Sequence, residues 1–274
     1  MNFYYGIMQG RLSKRIDNKV QAFPKENWRL EFEKAKKLGL KSIEWTLDSS
    51  YLQKNPIFTQ IGQETIKKLS KKYSIKVDSI TCDYFMEKPF WKIKKNEFVI
   101  NYLKKILNSC KILNIKFLVI PLVDKGSIKN FKERKNLLKI CKTIIKYLRK
   151  SNVKIIFESD FPPEKLKKFI FQFDKRFFGI NYDVGNSAGL NYDIDKEFKC
   201  YGSYICNVHI KDRYKNGVSI KLGQGNANFY KLFENLKKIK FKRNLILQTA
   251  RSKKNRHMIE VKNNLDYLYK VQNG

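Results

Sequence analysis

Histidine is almost missing from this chain: only His209 and His257 occur in 274 residues. Two imidazoles are too few ligands for a cluster of zinc ions. Cysteine does not fill the gap. Cys82, Cys110, Cys141, Cys200 and Cys206 are odd in number, scattered and without a CxxC pair, so they read as small buried hydrophobes in a reducing compartment. No run approaches the roughly 20 apolar residues of a membrane helix. The start, Met1-Asn-Phe-Tyr-Tyr-Gly-Ile-Met-Gln-Gly10, lacks the basic and apolar stretches of a signal peptide. A cytoplasmic protein with no membrane partner is expected. Gly6 and Gly10 do not form the GxGxxG turn of a dinucleotide-binding open sheet. Linkers rich in Pro, Gly or Ser are missing from the interior, so residues 1–274 are expected to form a single domain.

Acidic residues are also scarce, 25 against 58 basic ones, for a net charge of +33. The excess is mostly Lys, dispersed along the chain rather than gathered in one tract. Lys, Asn, Ile, Phe and Tyr are together the residues of AT-rich codons, which accounts for the bias without a polyanionic partner. A positive field still favours phosphorylated sugars or nucleic acid as ligands.

What the chain does have is four short apolar runs, each ending in one polar residue of the metal-binding type. They are Lys154-Ile-Ile-Phe-Glu158, Gly179-Ile-Asn-Tyr-Asp183, Ile205-Cys-Asn-Val-His209 and Asn244-Leu-Ile-Leu-Gln248. As successive parallel strands they bring all four side chains to the carboxyl rim of one sheet, where α/β enzymes place their chemistry. The first half supplies four more strands, Phe3–Ile7, Ser42–Thr46, Val77–Cys82 and Phe117–Pro121. Helices are expected at Trp28–Leu38, Glu64–Tyr73, Asn96–Leu113, Phe131–Lys150, Pro162–Phe171, Asp195–Tyr201, Phe229–Ile239 and His257–Tyr269. Gly39 stops the first and Asn130 caps the fourth. Eight strands, each followed by a helix, are the count of a (β/α)8 TIM barrel.

Each site residue has a plain alternative. Glu158 can ligate a hard cation and take a proton from carbon, or cap the next helix. Asp183, in Asn181-Tyr-Asp-Val-Gly-Asn186, can ligate or start an Asx turn. Asn186 can bind a substrate hydroxyl or steady that turn. His209 gains weight as a ligand because three sister strands end in Glu, Asp and Gln. Gln248 can offer an amide oxygen, but it is uncharged and cannot accept a proton at neutral pH. His257 carries no functional expectation.

Several segments together resemble the sugar phosphate isomerase/epimerase family of xylose isomerase-like TIM barrels. They are Gly6-Ile-Met-Gln-Gly-Arg11, Gln21-Ala-Phe-Pro-Lys-Glu-Asn-Trp28, Gly39-Leu-Lys-Ser-Ile-Glu-Trp45, Asn181-Tyr-Asp-Val-Gly-Asn186, Asn207-Val-His-Ile-Lys-Asp212, Leu222-Gly-Gln-Gly225 and Leu247-Gln-Thr-Ala-Arg251. The resemblance implies a divalent metal (Mn, Mg or Co) held by Glu158, Asp183, His209 and Gln248. It also implies a small sugar or sugar-phosphate substrate and proton transfer through an enediolate with Glu158 as base. A homo-oligomer is compatible with it. Gln248 stands where the family has a second catalytic carboxylate, which weakens a two-base mechanism. Glu44 is an alternative acid and Trp45 an apolar wall for the sugar. Lys211, Arg213 and Arg251 are expected to hold a phosphate, with Asp212 orienting Lys211 or a ligand. Two alternatives remain, a sugar-binding relative with little turnover and, less favoured by the two histidines, a metal-dependent abasic-site endonuclease.

Overall fold

The computed structural model describes residues 3–16, 19, 21–93, 97–252 and 255–274. Eight parallel strands close into a barrel: β1 (Tyr4–Met8), β2 (Ser42–Thr46), β3 (Ser79–Thr81), β4 (Phe117–Leu122), β5 (Lys154–Ser159), β6 (Phe178–Asp183), β7 (Ile205–Ile210) and β10 (Asn244–Leu247). The ring runs β1-β10-β7-β6-β5-β4-β3-β2, and it closes where Tyr4–Ile7 pair with Asn244–Leu247. A short antiparallel hairpin, β8 (Asp212–Arg213) with β9 (Ser219–Ile220), stands outside the ring after β7. The sequence gives no alternation that announces this hairpin.

Alternation along the strands explains the layers. Leu118, Ile120, Ile155, Phe157, Ile180, Tyr182, Val208 and Ile210 belong to the main core cluster, where strands meet the surrounding helices. The intervening residues point into the barrel. Phe117, Val119, Ile156 and Cys206 form a separate apolar plug. One step further along β5 from Ile156 on the same face stands Glu158, and Asn181 and Asp183 share the inner face of β6. A register shift between Ile180 and Asn181 then pairs Asp183 directly with His209. Gly179 makes the close approach possible, since a Cβ there would lie 2.6 Å from Cys206 Sγ.

The helices follow the expected rhythm. The first helix, Trp28–Lys37, ends before Gly39, which takes a positive φ of 72°. The helix Gln60–Tyr73 starts four residues earlier than expected because Thr59 caps it through Gly62 N. Asn130 caps Phe131–Ser151 through Glu133 N at 3.0 Å. The helix expected from Asn96 is seen over Glu97–Leu113, and Asn96 lies outside the described residues. Two short helices were not expected, Asp83–Glu87 after β3 and Val184–Gly189 after β6. Among the described residues no helix is long and apolar enough to cross a membrane.

Candidate active site

Glu158, Asp183 and His209 converge as their strands end. Each offers one ligand atom, and these atoms lie within 4.8 Å of one another. All three residues are buried. Glu158 is held at both oxygens: Asn186 Nδ2 donates to Oε1 at 2.6 Å and Asn181 Nδ2 to Oε2 at 2.8 Å. Asp183 Oδ1 accepts from the backbone N–H of Asn186 at 2.8 Å, the capping bond of the short helix that follows. Its Oδ2 is buried and accepts no hydrogen bond. The Lys211 ammonium stands 2.7 Å from this oxygen, so that contact is ionic rather than directional. Lys211 Nζ also donates to Gln248 Oε1 at 3.1 Å.

His209 lies between two carboxylates. Its Nε2 is 2.6 Å from Glu44 Oε1, and its Nδ1 is 3.2 Å from Glu158 Oε2 and 4.0 Å from Asp183 Oδ2. Burial alone would push the imidazole pKa down, but the charge of Glu44 and the bonds to Glu158 and Glu44 raise it to about 10. Glu44 shows the converse. Burial opposes its ionisation, yet His209 and the hydroxyls of Ser79 and Thr81 hold its pKa below the usual carboxylate value. An imidazolium donates from Nδ1 to Glu158. With Nε2–H directed at Glu44, a neutral imidazole presents the Nδ1 lone pair to a cation instead.

Two carboxylates and an imidazole suit a hard or borderline divalent cation. Asp183 Oδ2 already has a cation beside it, the Lys211 ammonium at 2.7 Å, and a divalent ion would take over that role. The residues therefore fit a divalent metal. Glu158, Asp183 and His209 would be its first ligands, and the Gln248 amide oxygen is turned toward Lys211.

Above this floor opens a cavity of about 1160 Å³. Of the expected residues Glu158, Asn186, Lys211, Arg213, Gln248 and Arg251 line it, whereas Asp183, His209 and Asp212 do not. Arg213 is only partly available, because Nε and Nη2 donate to Gly217 O and Nη1 to Asn186 Oδ1. Arg251 donates from Nη2 to Ser13 O at 2.7 Å, while its buried Nε has no partner. Next to it Arg11 reaches Thr249 O and Gln21 Oε1 at 2.9 and 2.6 Å. Burial and then the neighbouring Arg251 lower the Arg11 pKa to about 9, which leaves it charged at neutral pH. Arg15 and Arg256 stand on the same wall.

Three expectations are revised. Glu44 is wholly buried and does not line the cavity; it sits in mid-strand, two residues before the end of β2, and faces His209 from below. Trp45 is in the core, its Nε1 donating to Asn55 Oδ1 at 2.9 Å, so it forms no wall for a sugar. Asp212 is buried and accepts from the N–H groups of Gly223, Gly225 and Ala227, so it shapes the loop after β9 and turns away from Lys211. Asp83, buried on the cavity wall just past β3, was not among the expected residues. No alternation marks it, since Asp83-Tyr-Phe-Met-Glu87 begins a helix.

The profile of the xylose isomerase-like TIM barrel matches residues 32–270, and the chain belongs to that family. It is 34% identical over 82 residues to an uncharacterized protein of Methanocaldococcus jannaschii, a match covering 28% of this chain and 27% of that relative. D-psicose 3-epimerase of Clostridium cellulolyticum H10, solved with D-tagatose, superposes with a TM-score of 0.77 at 14% identity, over 98% of this chain and 99% of that one. The IOLI protein, solved with a zinc atom, gives 0.75 at 16% identity over 98% and 99%. At these identities the likeness is one of fold.

Proposed function

We propose that the chain is a divalent-metal-dependent isomerase or epimerase of a small sugar carrying an anionic group, such as a sugar phosphate. The observation that carries this reading is the convergence of Glu158, Asp183 and His209 within 4.8 Å, with Glu158 lining the cavity and the other two buried behind it. The sugar epimerase among the proteins of like fold, and the zinc in another, support it.

When bound, the metal would supply Lewis-acid stabilisation of the negative charge that develops on substrate oxygen. The chain's own residues do the rest. Glu158, fixed by Asn181 and Asn186, takes the proton from the carbon next to the carbonyl. Glu44 holds His209 so that its Nδ1 faces the cavity floor. Lys211 places a positive charge between Asp183 and Gln248, within reach of a substrate oxygen. Arg251, with its unpartnered Nε, and Arg11 offer donors to the anionic group. Gln248 transfers no proton.

Proton NMR in D2O tests the reading. With Mn²⁺, wild type should wash deuterium into the carbon beside the carbonyl of at least one sugar in a panel of keto-sugars and their phosphates, and Glu158→Gln should not. Gln248 and its lysine favour one second reading, a sugar-binding relative without turnover. Mn²⁺ and sugar binding without any exchange would select it. Nicking of abasic-site DNA would instead overturn both.

A further inference from the structure

Asp83 is a buried carboxyl group that the reaction as described leaves unused. It stands two residues past the end of β3, is 7% exposed and lines the same cavity as Glu158. Its Oδ2 is buried and accepts no hydrogen bond. Other buried acids of this chain are held by donors. Glu31 accepts from Gly10 N, Leu12 N and Ser13 Oγ, and Glu197 accepts from the hydroxyls of Tyr182, Ser187 and Tyr201. Those two are structural, each tying loops or helices together. Asp83 Oδ2 has no such donor, and a buried polar atom without a partner asks for a ligand.

The groups around it decide in which form it waits. The charges that act on it are those of Glu158 on β5, Glu87 on its own short helix, Asp48 beyond β2 and Arg11 beyond β1. Burial, then the three carboxylates, outweigh Arg11 and push the Asp83 pKa to about 8. Burial, the largest of these causes, does not depend on Glu158; it favours the protonated form, and a protonated carboxyl group is a proton donor. A second metal would be another use, but the close-set ligand group of Glu158, Asp183 and His209 includes no atom of Asp83.

We propose that Asp83 is a second proton carrier of this site, moving the proton at the substrate oxygen while Glu158 moves the one at carbon. This rests on the isomerase reading above. Glu158 removes the proton from carbon, the C–H pair becomes the carbon–carbon double bond, and the carbonyl π pair moves onto oxygen. That oxygen takes the proton of Asp83, giving a neutral enediol and an Asp83 carboxylate. In the second half Asp83 takes back a proton from an enediol hydroxyl, the carbonyl re-forms, and Glu158 returns its proton to carbon. No outside oxidant or reductant enters.

The test is Asp83→Asn, with Asp83→Glu beside it, in three measurements. In the deuterium-exchange assay with Mn²⁺, Asp83→Asn should lower kcat by roughly 100-fold or more, the scale of a lost acid–base group. KM and Mn²⁺ affinity by calorimetry should stay within about twofold, and Asp83→Glu should recover part of the rate. Infrared difference spectra at pH 7 should show a protonated buried carboxyl in wild type that is missing from Asp83→Asn. Exchange by Asp83→Asn at the wild-type rate would overturn the proposal, as would an equal loss of Mn²⁺ binding or an ionised Asp83 in wild type. Silence of wild type toward every sugar would overturn the isomerase reading, and Asp83's part in it.

Discussion

His209 and His257 are both buried, at 0% and 7% exposure, yet their protonation is driven in opposite directions. Burial disfavours the charged form at both. At His209 the carboxylates Glu44 and Glu158 overcome it and raise the pKa to about 10. At His257 burial is joined by Arg251, Lys34, Arg15 and Lys14, and the pKa falls to about 4. The sign of the neighbours, not the depth of burial, sets the outcome. The comparison divides the barrel mouth into two arcs. Strands β5 to β7 carry a carboxylate floor that wants a cation, and the loops after β1 and β10 carry a guanidinium wall that wants an anion. A substrate spanning the two would be held by its oxygens at one end and its anionic group at the other.

The largest effect is expected from removing the imidazole that the two carboxylates share. His209→Ala leaves Glu44 and Glu158 buried without their charged partner, which costs about 3–5 kcal/mol, read by urea denaturation. Calorimetry with Mn²⁺ should show binding lost; unchanged affinity would remove His209 from the metal site and break the division at its acidic side. Glu44→Gln keeps the shape but removes the charge that orients His209. Mn²⁺ affinity should fall by about 10–100-fold, the usual toll for a group behind a metal ligand, and a wild-type value would make Glu44 merely structural.

Arg251→Met probes the other arc. Inorganic phosphate should bind wild type and bind the variant about tenfold more weakly, the scale of a lost hydrogen bond between charged groups, with Mn²⁺ affinity unmoved. Equal phosphate binding would leave the basic wall without a ligand. The smallest effect is expected at His257. Its folded pKa lies below the ordinary 6.5, so the unfolded chain takes the proton first. The stability it contributes is whole above pH 6.5 and lost as pH falls from there toward 4. His257→Asn should flatten that part of the stability-against-pH profile, read by urea denaturation between pH 4 and 6.5. The same slope in both proteins would show that the arginines do not act on this ring.

Much of the floor was legible in the chain, because strand-end position and period-two alternation together fix which side chains point inward. Glu158, Asp183 and His209 follow from that rule alone. Glu44 was misjudged against the same rule. It is the third residue of a five-residue strand, hence a layer deeper than the rim, where a carboxylate serves its neighbours and not a ligand. Asp83 and the β8–β9 hairpin lie beyond strand ends, in segments whose course depends on tertiary contacts rather than on any repeat. Asp212 illustrates this, since three of the four N–H groups it gathers come from residues 223–227. Local sequence cannot announce such a partner.

The closure of the ring has a consequence for how the molecule is made. β1 meets its second neighbour only when β10 emerges, and Tyr5 OH reaches Gln272 Oε1 in the last helix at 2.9 Å. At roughly 5–20 residues per second of synthesis, one edge of β1 waits on the order of 10–50 s for its partner. An open strand edge is a template for pairing with other chains. Through that interval the excess of basic over acidic residues, 58 against 25 in the whole chain, would keep nascent copies apart by mutual repulsion.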